Sequence, residues 1–210
     1  MKKIVLGLVV VLAAWGFYKL RYPTYTYRYR LTLEVDAGKE VRTGSSVIEV
    51  VAWREPRLLP EMGGLQSRAI GQAVFLDLPG GRNLVALLAS GPHAEYRGWP
   101  TAIIGRVFRT PVESLSSLTG RRDISGGQMP TLVSVDDPRD SKTAHVINPN
   151  ELEELLGVRL RSITLEMTTD AVTPINIDAR LPFLIEEEKK RLQLSSYQVF
   201  IPSSSAFVRR

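Results

Sequence analysis

Residues 24–36, TYTYRYRLTLEVD, alternate without a break: Tyr25, Tyr27, Tyr29, Leu31, Leu33 and Val35 fall on one side, and Thr24, Thr26, Arg28, Arg30, Thr32 and Glu34 on the other. A period of two is the signature of a strand with one buried face. Ala37-Gly38 predicts a tight turn into a partner strand that runs through VIEVVAW to Trp53, with Gly44 as a bulge. A second hairpin is predicted where GQAVFLDL and NLVALLA flank the turn cluster Pro79-Gly80-Gly81-Arg82. Between the hairpins, REPRLLPEMGGLQSR (residues 54–68) carries the Pro and Gly punctuation of an irregular connection, and TAIIGRVF (101–108) reads as a further strand.

Two short helices are predicted from boundary signals. In TPVESLSSLTG, Thr110 is the N-cap, Pro111 the first helical residue, Glu113 the capping-box partner and Gly120 the stop; in NPNELEELLG, Asn148, Pro149, Glu151 and Gly157 take the same parts. VRLRSITLEMT (158–168) alternates as a strand whose phase shifts once near Ser162. LPFLIEEEKKRLQ predicts a third helix with i,i+4 charge pairs, and YQVFIP a last short strand. Hairpins followed by short helices and more strands make an α+β fold, mainly an antiparallel β-sheet or sandwich with two or three short helices. Residues 23–210 are expected to form a single β-rich domain, since no interior linker is long or polar enough to argue for two.

The chain start differs from the rest. Lys2 and Lys3 precede the uncharged run Ile4–Tyr18, IVLGLVVVLAAWGFY, so residues 1–22 read as a membrane anchor or signal segment and the fold is expected to follow an N-terminal transmembrane helix. Trp15, Tyr18 and Tyr22 suit an interfacial belt, and nothing polar interrupts the run to give it a solvent face. The competing reading is a cleavable signal peptide with small residues at Ala14 and Gly16; Trp15 between them and the apolar continuation through Phe17 favour an uncleaved anchor. A signal-like start favours export of the domain, whereas Lys19, Arg21, Arg28 and Arg30 on the other flank argue for a cytoplasmic one.

Charge and composition then narrow the chemistry. The net charge of +5 lies in the first 60 residues, which carry ten Lys/Arg against five Asp/Glu, while the remainder balances at seventeen each. That places the basic excess beside the membrane segment instead of on a nucleic-acid-binding face, so the lipid bilayer, through residues 4–20, is the expected partner and nucleic acid is not. With no cysteine, the chain has no disulfide, no Cys-ligated zinc or iron–sulfur centre and no thiol nucleophile. Walker A, G-x-G-x-x-G and G-x-S-x-G are absent, and no cofactor is expected.

Two constellations remain. SGPHAEYRGWP is a Gly/Pro-rich loop carrying His93, Glu95, Tyr96, Arg97 and Trp99; exposed loop aromatics and arginines are the residues that dominate binding energetics, so the five form a candidate binding site. The plainer reading is that Trp99 packs back on the sheet and the polar residues are solvated. Asp136, Asp137 and Asp140 in VDDPRDSK form a tight carboxylate cluster and a candidate cation site, although the EF-hand spacing is missing and Asp-Pro-Arg-Asp is also good turn chemistry. His93 and His145, the two imidazoles, have no metal-motif spacing.

VRTGSSVIEV, MPTLVSVDDPRD and LPFL resemble segments of an uncharacterised bacterial envelope protein family with a single N-terminal hydrophobic segment. That family has no assigned activity, so the resemblance carries over no functional residues. It implies a bacterial source and an inner-membrane, single-pass protein. The expected function is a membrane-anchored, non-enzymatic periplasmic domain that binds an envelope protein partner as an accessory component of a cell-envelope assembly. The alternatives are an envelope hydrolase using the clustered carboxylates and a cytoplasm-facing membrane-associated factor.

Overall fold

In the computed structural model, which describes residues 2–56, 64–185 and 208–209, the alternating segment forms β1 (Thr24–Ala37), the strand on which the fold is built. It pairs without interruption with β2 (Glu40–Glu55), from Thr24 opposite Trp53 to Ala37 opposite Glu40. The turn is Gly38-Lys39, one position later than the sequence suggests, with Gly38 at φ +72°. A positive φ at the first turn position is what a two-residue hairpin of the II′ class requires, and glycine supplies it without strain.

Gly44 is not a bulge. It sits in register opposite Leu33, and a Cβ there would lie 3.0 Å from Val74 Cγ1 and 3.1 Å from the Phe75 carbonyl oxygen. Glycine is present because another strand crosses closely over β2 at this point.

The segment read as an irregular connection contains β3 (Gly64–Gln72), which pairs antiparallel with the end of β2. Leu65–Arg68 are exposed, and the hydrophobic pattern that marks other strands is absent there. After one residue, Ala73, the chain becomes β4 (Val74–Asp77) of a second sheet. GQAVFLDL is therefore the corner where the chain changes sheets, not one strand. Beyond the turn at Pro79–Gly81, β4 pairs with β5 (Asn83–Ala86).

TAIIGRVF is helical, within α2 (Trp99–Phe108); the N-terminal helix, Lys2–Arg21, is α1. A short apolar run does not discriminate strand from helix by periodicity. Two details decide it: Pro100 sits in the first turn, and buried Trp99, Ile103 and Ile104 share one face. Val112–Ser117 is a 3₁₀ turn and not the predicted α-helix. Its capping box does not form, because Glu113 reaches Arg54 at 2.5 Å and Thr110 Oγ1 donates to the Phe108 carbonyl.

The chain continues through β6 (Arg121–Asp123), β7 (Leu132–Val135) and β8 (Ala144–Ile147). Asn148 then caps as expected, accepting from Asn150 N–H at 3.0 Å, and Gly157 closes α3 (Leu152–Leu156) in the left-handed conformation. β9 (Arg159–Met167) pairs with the other edge of β1, and the register shifts between Glu34 and Val35, opposite Ser162 and Leu160, where the sequence phase changes. After α4 (Ile177–Arg180), Phe183–Ile185 are helical; the rest of the predicted third helix and the YQVFIP strand lie outside the described residues, and β10 (Val208–Arg209) pairs with β3.

The result is α+β: an antiparallel sheet ordered β10-β3-β2-β1-β9-β6 and a smaller antiparallel sheet ordered β4-β5-β7-β8, with a few short helices. Tyr27, Tyr29, Leu31, Leu33 and Val35 of β1 join Leu76, Leu84, Leu132 and α2 in the core between the sheets. The tyrosine hydroxyls are satisfied within it, Tyr29 donating to Pro100 O at 2.9 Å and Tyr27 to Thr101 O at 3.1 Å; burial raises the Tyr27 pKa well above the ordinary phenol value.

The opposite face of the small sheet buries Val85, Leu87 and Val133 under Ile177, Leu181 and Phe183. With both faces covered, β5 and β7 are buried at every position, the polar Asn83 and Ser134 included, and neither strand shows a polar-out alternation. Residues 168–176 link the layers. Asp170 pairs with Arg30, Thr173 bridges both the N–H (2.8 Å) and the C=O (3.2 Å) of Val47, and the Gln72 amide receives Asn176 and Ile177 N–H at 2.8 and 2.9 Å. Among the described residues, no helix is long and apolar enough to cross a membrane.

Two neighbouring positions on β2 have opposite expected outcomes. Ser46, 1% exposed, holds a hydroxyl with no hydrogen-bond partner, so Ser46→Ala is expected to leave stability unchanged or raise it by up to about 1 kcal/mol. Gly44→Val, which forces β4 away, is expected to cost about 1–3 kcal/mol. Urea denaturation with the m-value held constant checks both; destabilisation by Ser46→Ala would show the hydroxyl to be bonded.

Candidate functional site

A cleft of about 920 Å³ opens at the free edge of the small sheet. One wall is β8 with Asn148–Glu151, another the turn Gly126-Gly127 with Met129–Leu132, and the third Gly91, Pro92 and His93. Local chemistry sets each wall. Gly91 at φ +100° and Ala94 at φ +54° turn the loop sharply enough for Ser90 and Tyr96 to exchange backbone hydrogen bonds, 3.2 and 3.0 Å, and Thr131 Oγ1 donates to Gly91 O at 2.7 Å. The loop is thereby tied to the wall that continues into β7.

The five loop residues separate into different roles. Trp99 is 1% exposed; its ring is in the core and its Nε1–H donates to Gln128 O at 2.9 Å, so it supports the cleft wall from behind and offers no surface to a ligand. Tyr96 turns toward α2, where its hydroxyl accepts from Arg106 Nη2 at 2.9 Å and the guanidinium lies 4.9 Å from the ring centroid. Glu95 folds back on its own loop and accepts from the His93 N–H at 2.9 Å, and hydrogen bonds from backbone N–H groups, its own first and that of His93 next, hold its carboxyl below the ordinary glutamate value. Arg97 is exposed on the far side of the turn, and of the five only His93 lines the cleft.

The aspartates serve mostly as turn acceptors. Asp137 Oδ1 accepts from Arg139 N–H and Asp140 Oδ1 from Lys142 N–H, each at 2.9 Å, while Thr143 Oγ1 bridges the Asp137 and Asp140 carbonyls at 3.0 and 2.7 Å. Asp136 differs: its Oδ2 lies 3.1 Å from His145 Nε2. Among the described residues, no group of three or more His, Asp or Glu side chains is placed to hold a metal ion. His93 and His145 lie 52 positions apart with no motif spacing, yet the fold brings both to one cleft, His145 carrying a carboxylate. No spacing signal marks this convergence, because it depends on β8 lying beside β7 and on Thr131 holding the 91–93 turn.

The remaining feature is β8 itself. Among the described residues it pairs with β7 on one side and has no strand on the other. Asp136 N–H donates to Thr143 O at 3.2 Å, and Val135 exchanges both its backbone groups with the Asn83 side chain on the β5 side. By antiparallel alternation, His145 and Ile147 direct their N–H and C=O toward β7 and Val146 directs its own toward the open edge. Val146 is also 37% exposed. The cleft thus combines a strand edge that can accept hydrogen bonds, an apolar floor from Met129, Pro130 and Leu132, and imidazoles on the rim.

The loop geometry has a pH signature. A carboxyl whose folded pKa is depressed stabilises its loop above the unfolded value, and that contribution is lost as pH falls through the folded value. The amide resonances of His93 and Glu95 are therefore expected to titrate together, with a midpoint below the ordinary glutamate value, and Glu95→Gln is expected to remove that midpoint. An unchanged His93 amide across the same range would show that Glu95 does not organise the loop.

The chain matches no family model, no curated protein and no solved structure.

Proposed function

We propose that this protein is a membrane-anchored, non-enzymatic binding domain that recruits an extended segment of a cell-envelope partner to its β8 edge. Residues 4–20 act as a single-pass anchor in the inner membrane and the domain faces the periplasm. Fifteen uncharged helical residues, Ile4–Tyr18, reach about 22 Å, short of a hydrocarbon layer of about 30 Å. Leu20 and a snorkelling Lys19 make up part of the difference, and local thinning of the bilayer the rest.

The observation that carries the binding reading is the cleft at an open strand edge. A peptide laid against β8 would gain main-chain hydrogen bonds from Val146, and its alternate side chains would meet Met129 and Pro130 of the cleft. Main-chain pairing supplies affinity and the pocketed side chains supply selectivity. Open edges of this kind are usually blunted by charge, proline or a covering loop, and among the described residues β8 carries none of these at Val146.

A hydrolase is the second reading, favoured by the Asp136–His145 pair, in which a carboxylate orients an imidazole as a general base requires. The pair is 60% and 72% exposed in its side chains. It is accordingly open to water and screened, unlike the enclosed sites in which such pairs usually work.

Topology and binding are tested separately. A periplasm-active reporter fused after Arg210 is expected to be active, and activity from a cytoplasm-active fusion alone would place the domain on the other side. A photo-crosslinker at Val146 is expected to give one defined adduct, absent when the probe is at Lys39, on the distant β1–β2 turn. Blocking the edge with a proline at the neighbouring outward site, Asn148→Pro, is expected to reduce the adduct at least tenfold relative to Asn148→Ala, which loses the same side-chain cap but keeps the main-chain donor. An adduct equally strong from Lys39 would remove the β8 proposal. Hydrolysis of envelope material that disappears in both Asp136→Asn and His145→Ala would favour the second reading.

A further inference from the structure

We infer that the α1-proximal end of the β2–β3 hairpin is a second membrane contact, with Trp53, Arg54 and Leu65 seated in the lipid headgroup layer beside the anchor. The inference rests on α1 being the membrane anchor and adds a fixed orientation of the domain to it. The first argument is a matter of reach. Tyr22 N–H donates to Tyr18 O at 2.9 Å, so the helical path runs to Tyr22. Only two Cα steps then lead to Thr24, at most about 8 Å. The first residue of β1 is held close to the bilayer whatever the tilt of the helix.

The second argument is register. Thr24 pairs with Trp53, and the β2–β3 ladder continues past it, through Arg54 opposite Leu65, to Glu55 opposite Gly64. Two further pairs extend the hairpin by about 7 Å beyond the start of β1. With β1 leaving the bilayer along its normal, that overhang nearly cancels the connector and brings Leu65 and Arg54 back toward the level of Tyr22. The headgroup layer is about 5–8 Å deep on each side of the bilayer, and the hairpin end falls within it.

The third argument is chemical. Leu65 is 51% exposed at the end of a hairpin, where burial in the domain offers it nothing. Trp53 is half-buried, with its indole Nε1–H donating to Glu55 Oε1 at 3.1 Å. Arg54 is fixed on its inner side by Glu113. Tyr18 and Tyr22, with ring centroids 5.0 Å apart, stand at the end of α1 that leads into β1. An apolar side chain, a tryptophan, tyrosines and an arginine near the junction of the helix and the sheet is the composition of a membrane interface.

The absence of cysteine makes the test direct, since each introduced thiol is the only one in the chain. Full-length Leu65→Cys, Lys39→Cys and Leu12→Cys proteins are labelled with the fluorophore NBD, reconstituted into phosphatidylcholine–phosphatidylglycerol vesicles and exposed to nitroxide-bearing lipids of known depth. Position 12 is expected to be quenched by the deep nitroxide, position 65 by the headgroup nitroxide at least threefold more than position 39, and position 39, in the β1–β2 turn at the other end of β2, hardly at all. Quenching at 65 no greater than at 39, with position 12 deep, would overturn the second contact while the anchor stands. A position 12 that no lipid nitroxide quenches would overturn the anchor and the contact with it.

Discussion

The structure depends on one row of side chains. Tyr27, Tyr29, Leu31, Leu33 and Val35 alternate on a strand that has neighbours on both edges, and they fill the space between the two sheets. Each fully buried side chain of this kind contributes about 1.5–3 kcal/mol relative to exposure. The same alternation sends Arg28 and Arg30 to the other face, where they meet Glu49 at 2.7 Å and Glu166 at 3.4 Å. A slip of one residue would bury the arginines and expose the core, so the pattern fixes the register as well as the stability.

The small sheet is held in place by covalent and polar ties more than by its own size. Its strands are four residues long, too short to persist alone. The corner at Ala73 makes it a continuation of the large sheet, Gly44 lets β4 approach closely, and Asn83 pairs through its side chain with both backbone groups of Val135. On the far face, the Gln72 amide positions the segment that covers Val85 and Val133. The cleft inherits its rigidity from this arrangement, since β8 and the 91–93 turn are both attached to β7 or its neighbouring loop.

How much of this was legible depended on whether local pattern or tertiary context decides. β1, the shift in β9 and the Asn148–Gly157 helix have signals within a few residues of themselves, and these were readable. β3 has no local signature because its exposed half carries no hydrophobic alternation, and α2 resembles a strand in sequence because Ile103-Ile104 suits either state. The 3₁₀ turn at Val112–Ser117 departs from its boundary signals because Glu113 has a stronger partner, Arg54, on a distant strand. At the site, the loop carrying His93 was recognisable from its Gly/Pro composition. Its meeting with His145 was not, because no local spacing encodes the order of strands in a sheet.

The pairing of β1 with β9 has a consequence in the order of synthesis. β1 and β2 are complete by residue 55, but the strand that covers the other edge of β1 does not begin until Arg159. For about a hundred residues of elongation the nascent chain carries a long hairpin with one open edge and an uncovered apolar face, the kind of surface on which chains aggregate.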